Sequence, residues 1–213
     1  MKTRFLLSPL TCLTLLAFCM ISTSWGTLVT FDELSETTTG SFIANGYQGL
    51  NWTNFVRVNI ILNTINNGLS GAYYGMVTPS NVVLNAFGDP AEIDSRGTNF
   101  NFLSTYLTGV WRSNLNIEVQ GFNSGTLLYS TTVVASATSP ALFTFSFLNI
   151  DRLAFSASGG QYAGFGSDAE TFAMDNFTFE LVPEPSSLLL TTAGALLLCP
   201  LLKRKKMLTP SSE

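Results

Sequence analysis

LNIEVQ, from Leu115 to Gln120, is the stretch whose reading decides the fold. Side chains of an extended chain point alternately to opposite faces. Leu115, Ile117 and Val119 therefore share one face, and Asn116, Glu118 and Gln120 share the other. One face suits burial and the other suits water. The same alternation recurs outward in both directions. In TNFNFL, Phe100 and Phe102 alternate with Asn99 and Asn101; in LFTFSF, Phe143, Phe145 and Phe147 alternate with Thr144 and Ser146. In DRLAFSA, Leu153 and Phe155 share a face, and further on Phe177, Phe179 and Leu181 alternate with Asn176, Thr178 and Glu180. Turn residues punctuate the runs, as in NSG at Asn123–Gly125 and SGG at Ser158–Gly160. No amphipathic helix longer than two turns is seen. The pattern predicts an all-β fold of eight to ten short strands: a jelly-roll-like antiparallel β-sandwich with a Phe-rich core.

Both ends of the chain differ from this middle. Lys2 and Arg4 precede an apolar run from Phe5 to Ile21, and Ser24 and Gly26 stand at the −3 and −1 positions of a signal-peptidase site. A basic start, an apolar middle and a small-residue exit mark residues 1–26 as a secretory signal peptide. The β-sandwich domain is then 27–181, enough for one domain with a substantial core.

That domain carries twelve carboxylates against Arg57, Arg96, Arg112 and Arg152 and no lysine, a net charge near −8. Such a surface repels a phosphate backbone, so nucleic acid is not an expected partner. Its lack of cysteine excludes disulfides, cysteine-ligated zinc and a cysteine nucleophile, because Cys12, Cys19 and Cys199 all lie in the terminal segments. Histidine is absent from the whole chain, which removes His-based triads and His-ligated metals. Any metal would be a hard cation held by oxygen.

Three places invite chemistry. Asp32, after the first strand, and Asp175, in the last, approach each other if the terminal strands pair antiparallel. Two carboxylates with neighbouring carbonyls can hold a structural calcium; the same pair can also simply cap turns. The apolar face switches between Met174 and Phe177, as a bulge at Asp175 would cause. Asn116, Glu118 and Gln120 project together and form a candidate ligand face for sugar, with Trp52, Trp111, Tyr73, Tyr74 and Tyr106 as available aromatics; an ordinary solvated sheet face has the same pattern. GGQYAGFGSDAE, Gly159–Glu170, lacks the Lys and Thr of a phosphate loop and reads as a long mobile loop able to lend Asp168 or Glu170 to a cation. No catalytic residue is assigned. Glu118 with a second acid would suffice chemically for glycoside hydrolysis, but nothing in the sequence marks such a pair.

The C-terminal stretch, VPEPSSLLLTTAGALLLCPLLKRKKM, is Val182–Met207. Pro183 and Pro185 flank Glu184 and stop the last strand. The apolar run Leu188–Leu202 would span about 22 Å as a helix, short of a hydrocarbon core of about 30 Å. With Ser186 and Ser187 added and Lys203 reaching to the interface, a transient inner-membrane span through 186–202 becomes feasible. Lys203–Lys206 would then lie on the cytoplasmic side.

The order of these three parts resembles the PEP-CTERM sorting signal of Gram-negative bacteria: motif Pro183, Glu184 and Pro185, apolar helix 188–202, basic cluster 203–206, with 208–213 a polar tail. GYQGLNWTNF, NFNFLSTYLTGVW and FAMDNFTF resemble segments of the β-rich domains common in such proteins. The resemblance implies signal peptidase and an exosortase as processing partners. It implies a secreted or cell-surface location after transient anchoring, and a non-enzymatic surface or matrix role with extracellular polysaccharide. The alternatives are a carbohydrate-binding module with a defined glycan ligand, or a carboxylate-based glycoside hydrolase.

Overall fold

The computed structural model describes residues 26–182. The signal peptide expected over 1–26, the sorting signal over 182–207 and the tail 208–213 lie outside the described residues, apart from Gly26 and Val182. In chain order the strands are β1 (Thr27–Val29), β2 (Ser41–Phe42), β3 (Asn51–Thr53), β4 (Phe55–Asn59), β5 (Asn81–Asn85), β6 (Ala91–Asp94), β7 (Phe100–Gly109), β8 (Arg112–Ser113), β9 (Leu115–Asn123), β10 (Thr126–Ala135), β11 (Ala141–Ile150), β12 (Arg152–Ser158), β13 (Gln161–Tyr162) and β14 (Phe172–Leu181). Helices α1 (Ile60–Asn67) and α2 (Gly71–Gly75) lie between β4 and β5.

Two antiparallel sheets form a sandwich. One runs β11-β7-β14-β5-β4-β2, with β1 also on β14; the other runs β10-β9-β12-β6-β3. The inward residues expected from alternation meet between them. Phe102 and Phe177 stack at 5.0 Å within the first sheet. Phe55 reaches Phe155 of the second sheet edge-on at 5.8 Å. Trp52 of β3, 3% exposed, packs edge-on against Phe177 at 5.5 Å. Ile117, Val119, Leu153 and Phe155 complete this core from the second sheet.

β14 switches parity where the sequence does. Met174 and Phe177 both face the core, with the register against β7 broken between Asp175 and Thr178 and Asn176 at φ +52°. On its other side β14 changes partner there, from β5 at Ala173–Met174 to β1 at Phe177–Phe179.

Helix α1 is the element that alternation does not announce. IILNTINN is rich in β-branched residues and Asn, poor helix formers. The helix is imposed from outside: the Asn59 side chain caps it by accepting from Leu62 N–H at 3.0 Å, and Ile60 is buried. With Ala72, Val58, Val82, Val110 and Ala173 it makes a second cluster on the outer face of the larger sheet. Gly71 is required there: a Cβ at that position would stand 1.9 Å from the Gly109 carbonyl oxygen.

Candidate functional site

The sequence-expected residues fall in three places. β1 pairs antiparallel with β14, which puts Asp32 and Asp175 toward the same end of that pair. Asp175 is fully buried. Its Oδ2 accepts from the Val77 and Thr78 amides at 2.7 and 2.9 Å, and its Oδ1 from the Asn176 amide at 2.7 Å. Asp32 Oδ1 accepts from the Asn81 amide at 2.9 Å. Burial pushes the Asp175 carboxyl up to about 6, the three amides pull it back, and the Asp32 charge adds to the rise. Both carboxylates thus accept from backbone N–H groups. Among the described residues no three metal-ligating side chains of the carboxylate, thiolate or imidazole type converge. What the pair does visibly is tie the 77–81 segment to the sheet.

Asn116, Glu118 and Gln120 do share the outer face of β9. Glu118 Oε1 accepts from Gln120 Nε2 at 2.9 Å and from Ser130 Oγ at 3.0 Å. Their strand neighbours are small or aliphatic: Val134, Thr132 and Ser130 on β10, and Ser158, Ser156 and Ala154 on β12. None of the five aromatics considered from the sequence joins this face: Trp52 is in the core, Tyr106 is on β7 and Tyr73 and Tyr74 are on α2.

Trp111 lies elsewhere, and it leads to the cleft that sequence reasoning missed. A concavity of about 440 Å³ opens on the outer face of the larger sheet. Val56 and Leu84 line it from the sheet, with Gly40, Ser41 and Phe42, the Ala86–Phe87 turn, and Trp111 with Ser167, Ala169 and Thr171. It adjoins a second hollow of about 250 Å³ that shares Thr39, Gly40, Val56, Leu84 and Trp111. Gly40, at φ +88°, lets the chain pass close over the floor, since a Cβ there would meet Val56 Cγ1 at 2.7 Å. Phe42 is 58% exposed and Phe87 is 87% exposed. Phe87 also sits at φ +58°, a left-handed conformation that costs a non-glycine residue on the order of 1 kcal/mol.

The wall beyond Trp111 belongs to the loop expected to be mobile, and it is tied down. Arg112 Nε donates to Gly159 O at 2.6 Å, Nη2 to Gly160 O at 3.1 Å, and Nη1 pairs with Asp168 Oδ1 at 2.5 Å. The Gly159 amide donates to Glu170 Oε1 at 2.7 Å, and β13 pairs with β8. The cation served by Asp168 is therefore Arg112.

No protein-family model matches the chain. No curated protein matches it either. Among solved structures it is similar to the CBM51-2 and INT domains of ZmpB from Clostridium perfringens, at 14% identity and TM-score 0.32, covering 48% of this chain. The chain spans 22% of the length of that ZmpB structure. It is also similar to TmCBM61 in complex with β-1,4-galactotriose, at 9% identity and TM-score 0.33, covering 67% of this chain and 98% of that one. A third is CBM51 from Clostridium perfringens GH95 in complex with methyl-galactose, at 11% identity and TM-score 0.33, covering 73% and 100%. Likeness at TM-scores this low carries no assignment of ligand or site.

Proposed function

We propose that the chain is an exported, non-enzymatic glycan-binding module on a jelly-roll-like sandwich. In this reading signal peptidase releases it, a PEP-CTERM tail handled by an exosortase delivers it to the cell surface or beyond, and its ligand is an extracellular polysaccharide. The binding site is the cleft between Phe42, Phe87 and Trp111.

Phe87 is the observation that carries the proposal. An aromatic ring 87% exposed, on strained backbone, at the mouth of a cleft gives nothing to the core. Sugar rings have apolar C–H faces that pack on aromatic rings, and hydroxyls that need polar partners. The cleft offers both kinds of surface: three aromatic rings, and the hydroxyls of Thr39, Ser41, Ser167 and Thr171. The Asn116–Glu118–Gln120 face offers only the second, and Glu118 is already committed to Gln120 and Ser130.

Retention on a panel of bacterial and plant glycans tests the proposal. A retained glycan should bind about tenfold or more weakly to Phe87→Ala and Trp111→Ala, and unchanged to Glu118→Gln. Phe87→Ala is the cleaner variant because its ring makes little folded-state contact. Loss with Glu118→Gln alone would move the site to the polar face. Retention of no glycan at all would sink the proposal.

A further inference from the structure

The two hollows beside Trp111 form one groove, since Val56, Leu84 and Trp111 line both. At its far end α1 contributes Asn63 and Asn67, and Ser70 stands just before α2. Each hollow is lined by a nearly buried residue whose hydroxyl the fold does not use. Thr171 lines the first at 5% exposed and Ser70 the second at 4%. Neither hydroxyl has a hydrogen-bond partner among the described residues, and that of Ser70 does not cap α2. The Asn67 carboxamide, exposed on the last turn of α1, is also without a partner among the described residues. Polar groups withdrawn from water are costly to leave unpaired, and the hydroxyls of a bound molecule can supply the missing partner. Charge is a second, independent observation. Among the described residues no charged side chain lines either hollow. Arg57 and Arg112 are chain neighbours of lining residues, and both are engaged. Arg57 donates to Ser35 O, Ser35 Oγ and Phe42 O at 3.1, 2.7 and 3.3 Å, and Arg112 is held by Asp168 and the loop carbonyls.

We infer that the ligand of this groove is an uncharged polysaccharide, held as a run of sugars along both hollows rather than by one terminal sugar. The inference rests on the glycan-binding reading above and narrows it. A uronate, sulfate or phosphate on the chain would lose its water and meet no cationic partner in the groove. Twelve carboxylates against four arginines also repel a polyanion from a distance. The ammonium of an amino sugar would equally find no carboxylate among the lining residues. A neutral chain meets what the groove provides: rings at Phe42, Phe87 and Trp111, and unpaired polar groups at Thr171, Ser70 and Asn67. Length follows from volume. The first hollow alone, at about 440 Å³, is the size of a small-molecule site, so a ligand that also reaches Ser70 and Asn67 is longer than one sugar.

Titration calorimetry of the full chain, in a zwitterionic detergent without a sugar headgroup, tests both parts. A neutral polysaccharide retained from the glycan panel should bind about tenfold or more weakly once carboxymethylated, and nearly unchanged once hydroxyethylated, which adds similar bulk without charge. Added salt should recover part of the carboxymethyl loss. Oligosaccharides cut from the same polymer should bind more tightly with each added sugar until the groove is filled, the monosaccharide about tenfold or more weaker than the polymer. Ser70→Ala and Asn67→Ala should each weaken the polymer about three- to tenfold and leave the monosaccharide unchanged. Both variants should melt as wild type does, since the Ser70 hydroxyl caps nothing and alanine is the better helix former at position 67. If no glycan is retained, the inference falls together with the glycan-binding reading. Three other outcomes overturn it while that reading stands, each with binding still lost in Phe87→Ala: a carboxymethylated chain that binds as well as its parent, a monosaccharide that binds as tightly as the polymer, or full polymer binding in both Ser70→Ala and Asn67→Ala.

Discussion

At Asp175 a carboxyl group sits fully buried within β14, with three backbone amides and the Thr78 hydroxyl as its neighbours. Loss of water pushes its acidity up to about 6, against an ordinary 3.8, and the charge on Asp32 works in the same direction. A carboxyl whose folded-state value is raised binds its proton more tightly when folded. Its contribution to stability is therefore full below about pH 3.8 and is lost as pH rises through about 6. Going from pH 7 to pH 5 should stabilise the domain by about 1 kcal/mol through this residue. Asp175→Asn should remove that slope. It should also cost about 2 kcal/mol at pH 7, and about 1 kcal/mol more at pH 5, since its NH₂ would confront an amide donor in place of one carboxylate oxygen. Urea unfolding of both proteins at the two pH values checks this; an unchanged slope in the variant would assign the pH dependence elsewhere. Phe87 makes a different case. Replacing it by Gly relieves the left-handed strain at φ +58° but adds freedom to the unfolded chain, so stability should stay within about 1 kcal/mol while glycan binding is lost. A melting curve beside a binding curve separates those effects.

Elements differ in how far the sequence discloses them. The long strands are legible because period-two alternation needs only neighbouring residues. The break in β14 is legible for the same reason: Met174 and Phe177 cannot share a face of an unbroken strand, and the structure breaks register between Asp175 and Thr178. The row Asn116, Glu118 and Gln120 was visible as a row. The cleft was not, because its lining comes from five separated segments whose meeting depends on strand order. One local signal existed. Phe87 lies in NAFGDP, a turn-rich stretch where an aromatic has no strand to serve. Helix α1 was hidden because its residues are poor helix formers and its stability comes from the Asn59 cap and a tertiary cluster. The 159–171 loop looks loose in sequence because four of its residues are Gly, whereas its order comes from Arg112, about fifty residues earlier. Arg112→Ala should cost about 1–3 kcal/mol by stripping three carbonyls and a carboxylate of their donor. It should also raise hydrogen exchange across 159–171 and weaken glycan binding through the displaced wall. Arg112→Lys should rescue little, because one ammonium cannot reproduce the fork that reaches Gly159, Gly160 and Asp168 together. Unchanged exchange in Arg112→Ala would show that β8–β13 pairing alone holds the loop.

At the scale of the whole molecule, a domain without cysteine in a chain without histidine leaves stability to the core and the hydrogen-bonded sheets. The charge-free span from Val119 to Ile150 was readable in the sequence. Only the topology reveals that β10 and β11 within it are edges. The two sheets share one cluster in which aromatic rings from both interlock, so they should unfold as one unit. Phe102 sits at its centre. It stacks on Phe145 at 4.7 Å and Phe177 at 5.0 Å in its own sheet, and meets Phe155 of the other sheet edge-on at 6.3 Å. Phe102→Ala should cost about 3–5 kcal/mol, a large share of the roughly 5–15 kcal/mol that holds a domain folded. Because the ring belongs to both layers in packing terms, the loss should reach both sheets equally. Hydrogen exchange measured strand by strand checks this: β7 and β14 in one sheet and β9 and β12 in the other should lose protection by the same free energy. If β9 and β12 keep wild-type protection while β7 and β14 lose theirs, the sheets are separate cooperative units and the shared aromatic cluster does not couple them.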